Sequence, residues 1–198
     1  MKKSFYITLI LVLAATVGSF AQSSFTVEYS MGFGSGDVKS YINSPSFRGF
    51  ALEYKRYVQP KLSIGGEISW NVFYERRAYD TYTKGTVSVS GTQYRYINAV
   101  PILLTTNYHF KPGEKISPFV GLGIGAMSMN RDTNMGVYVL STDTWHFALK
   151  PEVGVLVNAN SQLDILLSGK YYTGFATSDM PTQSYFAFNI GFVFKHGM

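Results

Sequence analysis

Cysteine is absent from all 198 residues, so the fold must hold together without disulfides. The same absence removes the thiol that would carry a lipid anchor after an export signal. With only three histidines, unclustered, it also removes the usual ligand sets for zinc. Charge is sparse at 15% of residues. No apolar run after the N-terminal region is long enough for a helical span, which excludes a helical membrane bundle. No 3.6-residue apolar periodicity persists beyond Gln22.

What is present begins at the N-terminus. Lys2 and Lys3 precede an apolar stretch from Phe5 to Val17, and Ser19-Phe20-Ala21 offers small residues to a signal peptidase. Residues 1–21 are therefore expected to be a cleaved export signal and 22–198 a single domain. Without Lys2 and Lys3, fifteen basic residues stand against twelve acidic ones. That excess is too small and scattered to point to nucleic acid.

The remaining chain reads as about eight segments of period two. In the last, Phe186, Phe188, Ile190, Phe192 and Phe194 share one face, with Tyr185, Ala187, Asn189, Gly191 and Val193 opposite. Val120, Leu122 and Ile124 likewise alternate with Gly121, Gly123 and Gly125. Links 2–3, 4–5 and 6–7 are short. The others, at 34–47, 76–93, 130–143 and 173–183, are long and polar. Pro101, Pro118 and Pro151 are expected at strand starts or bulges.

A solvent-facing barrel exterior would favour bulky polar side chains. Here the less apolar face is mostly Gly, Ala and Ser, which suits the lining of a narrow eight-stranded interior. The opposite face is nearly free of charge through its middle, as a lipid-facing band requires. Trp70, Tyr74, Tyr94, Tyr96, Trp145, Tyr171, Tyr172 and Tyr185 are expected to form an aromatic girdle at the loop side, with Tyr54, Tyr57, Tyr108 and Phe110 at the turn side.

The Ser117-to-Gly125 strand, the Lys150-Pro151-Glu152-Val153-Gly154-Val155 strand and the aromatic closing strand together resemble the small eight-stranded outer-membrane β-barrel proteins of the OmpA/OmpX type. The resemblance covers about residues 22–198. It implies an all-β, eight-stranded antiparallel up-and-down transmembrane β-barrel in a bacterial outer membrane. It also implies contact with outer-membrane lipids, lipopolysaccharide among them, and a closing strand read by the barrel-assembly machinery. The chain is expected to be a monomer that needs no cofactor and does not bind nucleic acid.

Two candidate sites follow from the charges. Glu53, Lys55, Glu67, Lys150, Glu152, Asp164 and Lys170 lie on the interior face and are expected to pair there, since buried charge must be compensated. Arg76, Arg77, Tyr79, Tyr82 and Lys84 open the longest link as a basic, aromatic cluster suited to lipid headgroups or an extracellular partner. His146 lies near Asp143 and Thr144, but no spacing marks a nucleophile, so catalysis is not expected. The expected role is structural or surface-interactive, with long loops outside and a filled polar interior. A narrow pore, a small-ligand-binding barrel of membrane or soluble lipocalin-like form, and a lipid-modifying barrel enzyme are the alternatives.

Overall fold

The computed structural model describes residues 22–84 and 87–197; the expected export signal at 1–21 lies outside them. Eight strands, β1 (Ser23–Ser35), β2 (Gly49–Gln59), β3 (Leu62–Lys84), β4 (Val87–His109), β5 (Ile116–Met135), β6 (Tyr138–Asn158), β7 (Leu163–Gly174) and β8 (Gln183–His196), close into a barrel in chain order. Every neighbouring pair is antiparallel, and the ring is completed by β1 on β8 from Ser23↔His196 to Ser35↔Ser184. One short helix, α1 (Gly36–Tyr41), follows β1. Among the described residues no helix is long and apolar enough to cross a membrane.

The period-two pattern sets which side chains face out. On β8, Phe186, Phe188, Ile190, Phe192 and Phe194 are exposed while Tyr185, Ala187, Asn189, Gly191 and Val193 are buried. The same alternation rings the barrel with exposed Phe25, Ile68, Ile102, Leu122, Phe147 and Leu167. This is the outward apolar band of a membrane barrel, about 25 Å tall in such folds. Small inward residues make room for large ones inside. A Cβ on Gly32 would sit 2.8 Å from the Phe73 ring, and one on Gly154 2.6 Å from the Phe119 ring.

The long links differ from expectation. Most of 76–93 and 130–143 is strand: β3 and β4 run 23 residues each, β5 20 and β6 21. A transmembrane strand needs only about 9–11 residues, so these pairs continue well past the membrane as hairpins. Cross-strand pairs such as Tyr74↔Tyr96 and Thr81↔Ser90 satisfy backbone groups that a loop would leave to water. The β5–β6 hairpin turns through Gly136 at φ +59, a left-handed position that glycine occupies without penalty.

Two prolines also differ. Pro101 and Pro151 lie inside strands rather than at starts or bulges, and the register is kept across them. The β3–β4 ladder runs to Ile68↔Ile102 and resumes at Asn71↔Ala99. The β6–β7 ladder runs from Leu149↔Thr173 to Glu152↔Lys170. Each gap falls where the missing N–H would have paired.

Candidate functional site

The interior is stacked in layers. Near the short turns, Phe119, Leu156, Leu166 and Val193 form a small apolar cluster. At mid-height lies a layer of charge. Lys150 Nζ donates to Glu67 Oε2 and Glu152 Oε2, each at 2.7 Å. Lys170 Nζ donates to Glu28 Oε1 and Glu67 Oε2, each at 2.9 Å. The Tyr172 hydroxyl donates to Glu67 Oε1 at 2.6 Å. The side chains in these ion pairs are 0% exposed. Beside them Lys55 pairs with Glu53 at 2.7 Å, and the Thr105 hydroxyl donates to Glu53 at 2.9 Å. Carboxylate oxygens of Glu53, Glu67 and Glu152 lie within 4.8 Å of one another. Each of the three has a lysine at hand, so the ammonium groups supply the compensation that a metal ion would otherwise give.

Above this layer the interior is largely apolar, with the hydrogen-bonded Ser30–Asn71 pair and His146 buried in it. Phe73, Ile97, Leu103, Met127 and Met129 pack there, capped by Val38 of α1, Ile42 and Met180. Tyr172 and Tyr185 belong to this packing, stacked at 4.8 Å between ring centroids. They are therefore not girdle residues: each shares the inward phase of its strand with Lys170 or Ala187. Tyr57 also turns inward, against the His109 ring at 5.3 Å. Trp70, Tyr74, Tyr96, Trp145 and Tyr171 remain off this core, on the outward phase of their strands.

The loop-side mouth carries a second set of charges. Tyr41, at the end of α1, lies between two guanidiniums, Arg131 at 4.4 Å and Arg95 at 4.7 Å from its ring centroid. Arg131 pairs with Asp37 and donates to Gln183 Oε1 at 2.8 Å. Burial raises the Asp37 carboxyl, but the hydrogen bonds from Arg131 and Gln183 and the Arg131 charge outweigh it and hold the group below its ordinary range. Burial likewise raises Glu75, and hydrogen bonds from the Asn43 backbone and Arg77 bring it below. Arg95 donates to Gln93 Oε1 at 2.5 Å and to the Tyr41 carbonyl at 2.9 Å. Around these groups a cavity of about 760 Å³ opens.

The expected interior set is thus divided. Glu53, Lys55, Glu67, Lys150, Glu152 and Lys170 meet in one layer. Asp164 stands apart near the short turns, paired with Lys195 at 2.8 Å. The expected loop cluster does not converge. Arg77 bonds Glu75 and Tyr82 lines the mouth cavity, while Arg76 is exposed and Tyr79 is 75% exposed. Lys84 pairs through its backbone with Val87, and its side chain lies outside those described. Because the segment is strand and not loop, consecutive residues such as Arg76 and Arg77 point to opposite faces, and a bulge between Arg77 and Asp80 shifts the phase again.

His146 is buried, with Nδ1 2.8 Å from the Phe175 carbonyl, and Asp143 accepts instead from Asn130 at 2.7 Å. His109 is at the turn-side end of β4, where its Nε2 is 3.1 Å from Ser63 Oγ. His196 ends β8.

Sequence reasoning missed Glu28, although it shares a phase with Thr26 and Ser30 on the small-residue face of β1. It also missed Tyr41, Arg95 and Arg131. Their meeting depends on a helix and two hairpins far apart in the chain, which no local spacing announces.

A family model described as "Outer membrane protein beta-barrel domain" matches residues 7–195. No curated protein matches the chain in sequence. Among solved structures, Ail, the attachment invasion locus protein of Yersinia pestis, is similar with a TM-score of 0.58 at 14% identity, over 88% of this chain and 98% of that one. OprG from Pseudomonas aeruginosa gives a TM-score of 0.55 at 14% identity, over 92% and 99%. Neisserial surface protein A gives 0.51 at 11% identity, over 88% and 96%. At such identities the likeness is one of fold.

Proposed function

The chain belongs to the outer membrane protein β-barrel family and resides in the bacterial outer membrane, and on that premise we propose that it is a sealed surface barrel, acting through its exterior mouth and hairpins. The observation that carries this reading is the fully buried Lys150–Glu67–Lys170 layer, which closes the lumen beneath an apolar packing. An eight-stranded barrel is just wide enough for side chains to fill, and at mid-height this one is filled by the charged layer and the apolar packing above it.

Surface interaction is the role this leaves. The two hairpins and α1 bring exposed aromatics and arginines outside the membrane, Tyr79 and Arg76 among them. The Yersinia pestis protein Ail has been solved in complex with the heparin analogue sucrose octasulfate, which supports reading such a barrel as a holder of extracellular ligands. In this reading the protein is a monomer without catalytic activity. Its standing partners are the surrounding lipids, lipopolysaccharide included, with the assembly machinery engaging β8 during insertion.

Vesicle swelling tests the seal. Proteoliposomes carrying the barrel are expected to swell in arabinose no faster than protein-free vesicles. Swelling that scales with the amount of barrel would sink the reading.

A further inference from the structure

We propose that the mouth cavity binds a small amphipathic anion: one acidic group on an apolar, flat body. The proposal rests on the mouth being the working surface and adds the chemistry of what it takes.

The cavity wall combines charged and polar groups with apolar ones. Met135, Tyr138, Leu140 and Met180 line it together with Tyr82, and Arg95 and Arg131 face it from the barrel wall. The two arginines are not equivalent. Arg131 is committed to Asp37. For Arg95, no carboxylate among the described residues lies within salt-bridge distance, although its guanidinium is half-buried.

Arg95 is nevertheless held in place. Gln93 and the Tyr41 carbonyl accept from it, and it lies over the Tyr41 ring. A cation fixed by neutral partners in a partly desolvated wall is preorganised for an acidic group, because little ordering remains when the ligand arrives. The Arg131 Nε is buried with no acceptor, and Glu75, the cross-strand partner of Arg95, is engaged by Arg77 and the Asn43 backbone. Asp179, on the exposed rim, is the one carboxylate in the cavity wall.

The apolar groups exclude a purely hydrophilic anion as the best fit. Tyr82 and Tyr138 place aromatic rings in the cavity lining, and Met135 and Met180 adapt to irregular shapes. Below the cavity, Val38, Ile42 and Met180 pack on the sealed interior, so the ligand enters from outside and stops there.

The test uses the barrel refolded into nanodiscs of zwitterionic phosphatidylcholine, so that no lipid supplies an anion. Calorimetric titration with naphthalene-2-sulfonate is expected to show saturable one-to-one binding, weakened by high salt. The neutral naphthalene-2-sulfonamide is expected to bind about tenfold weaker or worse, and Arg95→Gln to lose a similar factor for the sulfonate. Asp179→Asn should tighten sulfonate binding, and Arg48→Gln, on the outer surface, should leave it unchanged. Heat-modifiable gel mobility verifies folding, and the Asp179 and salt arms stand if Arg95→Gln fails that check. Absence of saturable binding, equal affinity for the sulfonamide, or an unchanged isotherm in a folded Arg95→Gln barrel would each overturn the site. Vesicle swelling would overturn the sealed lumen instead and leave the isotherm intact, so the two failures are distinct.

Discussion

Lys150 and Arg95 are both cations on the inner wall of one barrel, yet their surroundings differ in what decides the work of a charge. Lys150 is 0% exposed and touches two carboxylates at 2.7 Å. Arg95 is half-buried, held by an amide oxygen and a backbone carbonyl, without a carboxylate at salt-bridge distance. In the buried layer every charge touches an opposite one, and removal of a shared partner strands others. At the wet mouth a charge can be held in position without being matched. Burial thus separates structural charge from charge left for a ligand.

The contrast is broken most sharply at Glu67, which compensates both Lys150 and Lys170. Glu67→Leu is expected to cost about 3–5 kcal/mol in urea unfolding from vesicles, because two ammonium groups lose a shared buried partner. A loss below about 1 kcal/mol would mean that the layer is hydrated and not a seal. Tyr172→Phe keeps the ring stack and removes only the hydroxyl donated to Glu67. Its expected cost is about 1.5–3 kcal/mol, the range for a hydrogen bond to a charged group.

At the mouth, Arg131→Gln removes a pair whose side chains are 18% and 32% exposed. Only about 0.2–1 kcal/mol is expected there, since water screens the interaction. Acid titration sharpens the same point. The Asp37 carboxyl is held below its ordinary 3.8 in the folded state. Its stabilising contribution is therefore fully present above that pH and fades as pH falls below it. Amide exchange in α1 is expected to rise in that acid range while the strand amides of β7 and β8 stay protected. Simultaneous loss of protection in both would show that the mouth and the barrel are one cooperative unit.

How far the sequence revealed these two regions follows from how each is built. The barrel was legible because every strand carries its own period-two record; Phe186 to Phe194 states the outward face within nine residues. The charged layer was partly legible for the same reason, since Glu53, Glu67, Lys150, Glu152 and Lys170 each sit on the inward phase of a strand. Asp164 shares that phase, but phase says nothing of height, and its place near the short turns sets it beside Lys195 instead. Tyr172 and Tyr185 were misplaced because an aromatic near a strand end fits a girdle by composition, while phase alone puts it inside. The mouth was not legible. Tyr41, Arg95 and Arg131 come together through α1 and two hairpins whose extension beyond the membrane looked, in composition, like polar loops.

Single-channel recording in planar bilayers tests the division between sealed interior and working mouth most directly. Wild-type barrel and Arg95→Gln are both expected to insert without conductance steps, because the layer around Glu67 closes the lumen whatever the mouth holds. A steady ohmic conductance in the wild type, altered by Arg95→Gln, would contradict it: the mouth would then be the entrance to a pore.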